Sequence, residues 1–163
     1  DMYDYSPDYA DMIAEKGIFV DPTLALSRLN QLRSVDGIGP ASGAFASTDL
    51  RYEILRDMWD RGVKFVTGMD SGMTNANFDD FAYIPEVMVE DMGITPMEAI
   101  ISATQVSADC LGLLDEIGTL EEGKAADVLI INGNPAVDIK ALHDVNTIVK
   151  QGQIVKQENE LLI

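Results

Sequence analysis

The chain sets 28 acidic against 11 basic side chains in 163 residues, giving a formal net charge of −17. Phosphate recognition needs clustered Lys and Arg, so this balance excludes nucleic acid as a partner and disfavours adsorption to anionic membranes. A hydrophobic content of 47% rules out wholesale disorder, and no apolar run reaches the roughly 18 residues of a membrane-spanning helix.

The first elements read as helix then strand. Ser6 caps and Pro7 suits the first helical position, Tyr9, Met12 and Ile13 form an apolar stripe, and Gly17 stops the helix. Ile18-Phe19-Val20 follows as a short buried strand that ends at Asp21-Pro22. Residues 24–46 form a long loop punctuated by Gly37, Gly39, Pro40 and Gly43, with a helical start from Leu24 to Leu32. The pattern then repeats. Ser47 or Thr48 caps a helix carrying Leu50, Ile54, Leu55, Met58 and Trp59, and Gly62 closes it. Lys64 to Gly68 is the next strand, with Asp70-Ser71-Gly72 just beyond its carboxyl end.

A polar stretch from Met73 to Asp80 leads to a helix over Phe81 to Met92, with Pro85 near its first turn. Thr95-Pro96-Met97-Glu98 spells a capping box, and Ala99, Ile100, Ala103 and Thr104 keep one helix face small. A turn is expected from Ser107 to Gly112. Beyond Leu113 the period changes: Ala126 to Ile131 reads as a buried strand, and Asn132-Gly133-Asn134-Pro135 as a turn. Asp138 to His143 suits one or two helical turns, and Thr147–Lys150 and Gln153–Lys156 flank Gln151-Gly152 as a hairpin. Alternating helix and strand implies a parallel sheet with crossover helices. Too few strands are present to close a barrel, and the chain begins at Asp1, so a piece of something longer is expected.

Asp70 is the strongest chemical candidate. In parallel α/β architectures ligands bind outside the carboxyl ends of the strands, and Gly68 and Gly72 allow close backbone approach there. A turn aspartate or helix cap is the competing reading. His143, at the end of a short helix, reads as a surface residue, and Cys110 as a small packing residue with nothing basic beside it in sequence. A single cysteine permits no internal disulfide. No glycine-rich phosphate loop is present. Arg28 and Arg33 are candidates to meet a substrate carboxylate, against the alternative of helix charges facing solvent.

One ordered series is more specific than any single signal: Lys64–Gly72, Gly93–Ile100 with Ala103-Thr104, Ala108–Leu113, then Gly118-Thr119-Leu120-Glu121-Glu122-Gly123-Lys124-Ala125-Ala126-Asp127-Val128. It resembles the carboxyl-terminal part of the metal-dependent amidohydrolase superfamily, in the branch of imidazolonepropionase and the Xaa-Pro dipeptidase-like enzymes. The likeness covers roughly residues 7–157.

The resemblance implies the last strands and helices of a (β/α)8 TIM-type barrel over residues 1–113. Residues 114–163 would then be part of a β-sandwich-like accessory domain. It implies a divalent metal, usually zinc, and a small amide or dipeptide-like substrate. Asp70 matches the family's aspartate after the eighth strand, which binds the metal and carries the proton of the attacking water. The matching HxH pair and further histidines have no counterpart here, and Asn75 and Asn77 stand where relatives often show a histidine. The expected function is therefore the carboxyl-terminal portion of a hydrolase of C–N bonds, inactive as this chain alone. The alternatives are one piece of a two-chain enzyme completed by a separate amino-terminal polypeptide, and a non-catalytic module that self-associates. The compartment stays open, with a cytoplasmic location slightly favoured.

Overall fold

Two helix–glycine–strand units build the first half of the molecule. In this computed structural model, which describes residues 5–33, 49–72, 76–158 and 160–162, α1 spans Pro7–Glu15 and β1 Phe19–Val20. After α2 (Ala25–Leu32), α3 (Asp49–Asp60) leads into β2 (Lys64–Phe65). Both α1 and α3 end on a left-handed glycine, Gly17 at φ 63° and Gly62 at φ 88°. In each case the next amide reaches back to the last turn, Ile18 N–H to the Ile13 carbonyl and Val63 N–H to the Met58 carbonyl, both at 3.1 Å. The chain therefore turns straight from helix into strand. Ser6 has extended backbone at the N-cap of α1 but makes no side-chain cap bond. The expected caps Ser47 and Thr48, residues 34–46 of the expected loop and residues 73–75 lie outside the described residues.

β1 and β2 pair in parallel, Phe19 beside Lys64 and Val20 beside Phe65. The crossover between them contains α2 and α3, as alternating helix and strand requires. Phe65 is 1% exposed, a burial that stabilises by about 1.5–3 kcal/mol. Trp59 meets its ring edge-on at 5.8 Å between centroids. Leu24, Leu29, Ile84, Val87 and Met88 complete the core between α2 and α4, the latter spanning Tyr83–Glu90 after a 3₁₀ turn at Phe78–Asp80. Pro85 lies in the first turn of α4, where its missing N–H costs nothing. Arg56 of α3 donates to the Met92 and Gly93 carbonyls, which follow α4 and lack helical partners. On the other side of α3, Arg61 bridges Asp57 and Asp11 of α1. Tyr5 donates its hydroxyl to the same Asp57, and burial together with that bond pushes its pKa up to about 12.

The chain divides into two compact units, Asp1–Ile94 and Thr95–Ile163. The second opens on α5 (Pro96–Ile101), where both halves of the expected capping box form: Glu98 N–H to Thr95 Oγ1, and Thr95 N–H to Glu98 Oε2. The turn expected at 107–112 is instead helical as far as Cys110. A π-helical segment, Ser102–Val106, inserts before α6 (Ser107–Cys110). Ser107 Oγ returns to the Ser102 carbonyl at 2.8 Å and Thr104 Oγ1 to that of Ile100 at 2.7 Å. These two bonds satisfy carbonyls that a widened helix leaves poorly served.

Four antiparallel strands follow in the order β3-β4-β5-β6: Val128–Ile131, Val145–Lys150, Gln153–Gln157 and Glu160–Leu161. A 3₁₀ turn at Ile139–His143, capped by Asp138, links β3 to β4. The fold is thus α/β with a parallel strand pair and a separate antiparallel sheet. β3 differs from its expected burial: Leu129 is 57% and Ile130 49% exposed, because β3 is an edge strand with neither face covered there. β6 is too short and polar to have been read from its sequence.

The β4–β5 hairpin turns on Gln151 and Gly152, both with positive φ (50° and 79°), the pairing a type I′ turn needs. Asp127 holds this turn, accepting from Lys150 Nζ and from Gln151 N–H at 2.7 Å. The Lys150 hydrogen bond first, then the Gln151 amide, keep the Asp127 carboxyl below its ordinary range. A depressed carboxylate adds stability above its unfolded-state pKa, and that stability is lost as pH falls through the folded-state value. Asp127→Asn is therefore expected to lower the melting temperature at neutral pH, with the gap to wild type closing on acidification. Thermal melts followed across pH by circular dichroism measure it.

Candidate active site

The carboxyl ends of β1 and β2 carry the polar residues of interest. Val66 N–H continues the parallel ladder to the Val20 carbonyl at 3.0 Å. Two residues on, the ladder would join Gly68 N–H to the Pro22 carbonyl. That carbonyl is instead taken by Nη2 of Arg51, on α3. Gly68 N–H turns to the Asp21 side chain, donating to Oδ1 at 3.1 Å, and Thr23 N–H donates to the same oxygen at 3.1 Å. A carboxylate thus stands in for the missing ladder acceptor.

The carboxylate of exposed Asp21 occupies the space that a side chain on residue 68 would take. A Cβ built on Gly68 would lie 1.7 Å from Asp21 Oδ2. Arg51 is itself buried, 6% exposed, and donates a second bond to Ser27 Oγ at 2.9 Å. Burial holds its pKa below the ordinary guanidinium value. Asp21, Pro22 and Thr23 are therefore gripped from α3 on one side and from the end of β2 on the other.

Asp70 follows, exposed and in the left-handed conformation at φ 52°. Aspartate tolerates this region better than most residues. Met69 before it is buried, 8% exposed, which anchors the segment to the core. After it, Gly72 N–H bonds the Ala76 carbonyl at 3.1 Å. Asp70 is thereby presented to solvent from a backbone fixed on both sides. The sequence placed Asp70 but not Asp21; the available signal was an Asp-Pro pair ending one strand opposite a glycine ending the next.

The other candidates have partners of their own or belong to the second unit. Arg28 is held by three acids of α4 and its end: Glu86 at 2.8 Å, Glu90 at 3.0 Å and Asp91 at 2.7 Å. Burial opposes its charge, but the bonds to Asp91 and Glu90 outweigh that and raise its pKa. Arg33 forks onto Asp80, Nη1 to Oδ2 at 2.7 Å and Nη2 to Oδ1 at 2.5 Å, and this pairing raises its pKa. Asp80 also accepts from Asn77 N–H at 2.8 Å, so Asn77 serves the 3₁₀ turn that follows the Asp70 loop. Asn75 is outside the described residues. His143 and Cys110 are exposed and belong to the second compact unit, whereas Asp70 belongs to the first. Among the described residues no three His, Cys, Asp or Glu side chains come together as metal ligands. Also among them, no helix is long and apolar enough to cross a membrane.

The profile of the amidohydrolase family matches residues 3–155. The chain belongs to the amidohydrolase family. Its similar proteins include the imidazolonepropionase of Geobacillus kaustophilus (strain HTA426), 29% identical over 163 residues, a match covering 94% of this chain and 38% of that protein. A 5-methylthioadenosine/S-adenosylhomocysteine deaminase of Moorella thermoacetica (strain ATCC 39073 / JCM 9320) is 30% identical over 126 residues, covering 66% of this chain and 29% of the deaminase. Among solved structures, a Xaa-Pro dipeptidase with bound methionine in its active site superposes with a TM-score of 0.74. It is 30% identical, and the match covers 94% of this chain and 38% of the dipeptidase. A prolidase complexed with N-methylphosphonate-L-proline gives a TM-score of 0.75 at 28% identity, with the same two coverages of 94% and 38%. This amidohydrolase chain spans less than two fifths of the length of these relatives.

The Arg33–Asp80 pair lends itself to a direct measurement. Asp80 is buried, 4% exposed, and removing its fork would strip two charge-assisted hydrogen bonds from a carboxylate that water does not reach. Arg33→Met is expected to lower the urea-unfolding midpoint of the chain. An unchanged midpoint would mean that Arg33 does not serve the fold.

Proposed function

We propose that this chain supplies the carboxylate-bearing end of a metal-dependent amidohydrolase site that hydrolyses an amide or peptide-like C–N bond in a small molecule. The observation carrying this reading is Asp70, held beyond the carboxyl ends of a parallel strand pair inside a family match over residues 3–155. Dipeptidase and deaminase relatives have cleavage of a C–N bond in common. In this reading residues 1–113 are the last part of a (β/α)8 barrel, and 114–163 belong to an accessory β domain.

A catalytic zinc takes three or more protein ligands, and the described residues do not bring three together. The described residues taken alone therefore do not fit a resident metal. Asp70 would provide one ligand, and the remainder would come from outside this chain. The role proposed for Asp70, as the family resemblance implies, is general acid–base chemistry. Its exposed carboxylate takes a proton from the attacking water and returns it to the leaving nitrogen, so that the amine departs neutral. Arg28 and Arg33, first considered for a substrate carboxylate, act in this proposal through their acidic partners, holding α2 against the segments that follow Asp70.

Two companion readings are completion of the enzyme by a second polypeptide and self-association without catalysis. The second draws on exposed apolar side chains of the antiparallel sheet, Leu129, Ile130, Ile154 and Leu161, all 48–69% exposed. One experiment separates the two catalytic readings from self-association. The purified chain is sedimented, dialysed against zinc and assayed on N-acyl-proline and dipeptide substrates, alone and mixed with an upstream barrel polypeptide. The expected result is no stoichiometric zinc and no turnover alone. In the completed enzyme turnover appears, and Asp70→Asn lowers kcat by about 10²–10⁴-fold. Stoichiometric zinc and steady hydrolysis by the chain alone would overturn the proposal. Oligomers that never gain activity would favour self-association.

A further inference from the structure

We propose that Asp21 is the positioning residue for Asp70: its carboxylate replaces the ladder acceptor that Pro22 yields to Arg51, and so sets the backbone from which Asp70 projects. The inference rests on the reading of Asp70 as the site carboxylate, but the contact that carries it is independent of any activity.

Three observations converge on it. Asp21 Oδ1 accepts both Gly68 N–H and Thr23 N–H, which ties the end of β2 to the turn after β1. Asp21 Oδ2 fills the volume a side chain on residue 68 would need, so the contact is close as well as directional. Two non-glycine residues with positive φ flank the carboxylate, Thr23 at 48° and Asp70 at 52°. Such conformations persist only where the surroundings over-determine them. Thr23 is β-branched and particularly costly there. Its own N–H is one of the two bonds to Asp21, which accounts for its being held. On the other strand, the amide that Asp21 fixes lies two peptides before Asp70, with buried Met69 between. The bond restrains the Gly68 peptide, and through it the approach of the chain to the left-handed turn at Asp70.

An anchor that merely joined two strands would raise the melting temperature and leave the conformation of Asp70 unchanged. The discriminating readout is therefore the Asp70 backbone itself, from its Cα, Cβ and amide chemical shifts by NMR in the full chain. Asp21→Ala is expected to abolish the left-handed shift signature of Asp70. Asp21→Asn, which keeps a side-chain carbonyl as acceptor, is expected to retain it. Gly68→Ala, which evicts the carboxylate from the opposite side, should change the Asp70 signals as Asp21→Ala does. If either single variant fails to fold, the double variant Asp21→Ala/Gly68→Ala gives the same reading, because the added methyl occupies the vacated space without restoring the acceptor. Wild-type Asp70 shifts in any folded variant lacking the carboxylate would overturn the proposal. That outcome is distinct from failure of the functional reading, which would show as a completed enzyme indifferent to Asp70→Asn while the Asp21 dependence of the Asp70 shifts remained.

Discussion

A parallel strand pair this short depends on what terminates it. β1 and β2 each contribute two residues, and the backbone ladder ends when Pro22 turns its carbonyl to Arg51. The Gly68 amide would then lack a protein partner at the point where the chain leaves the core. One carboxylate oxygen on Asp21 accepts it, along with Thr23 N–H. The residues that follow, including the exposed Asp70, take their direction from that substitution of side chain for main chain.

The strongly acidic composition acquires a structural meaning in the first unit. All five arginines lie there, and each is engaged by other protein groups. Arg28 gathers Glu86, Glu90 and Asp91, Arg33 forks onto Asp80, and Arg61 joins Asp57 to Asp11. Arg56 pairs with Asp60 and serves the carbonyls beyond α4, while buried Arg51 holds Pro22 and Ser27. The cations thus join helices α1 to α3 and α2 to α4, and form no basic patch. Charge in this protein works mainly as internal connection between helices, with the surplus of acids left at the surface.

Most of the helices were legible from local chemistry, α6, expected as a turn, being the exception. Ser6-Pro7, Gly17, Gly62 and the Thr95–Glu98 box are signals that act within one turn, so they read directly from sequence. The Gln151-Gly152 hairpin was legible for the same reason. Asp70 was found because strand, glycine and acid stand adjacent in the chain. The Asp21–Gly68 contact spans 47 residues and depends on a carbonyl diverted by a third element, so nothing local announces it. Partners of Arg28 and Arg33 are equally remote, which left a solvent-facing or substrate-facing reading open to both. Exposure of Leu129 and Ile130 followed from the position of β3 at a sheet edge, a fact of topology that hydrophobicity alone reads as burial. The π-helical segment is a register effect spread over several weak bonds, and no single residue marks it.

Membership in the amidohydrolase family and the strand-end geometry point the same way: a carboxylate delivered by a strand pair whose ends are locked by a second carboxylate. The most direct measurement of that lock is amide hydrogen exchange at Gly68 and Thr23. The account predicts both amides protected together, well beyond other loop positions, with protection lost at both in Asp21→Ala. Exchange at the rate of an open loop in the wild-type chain would contradict it.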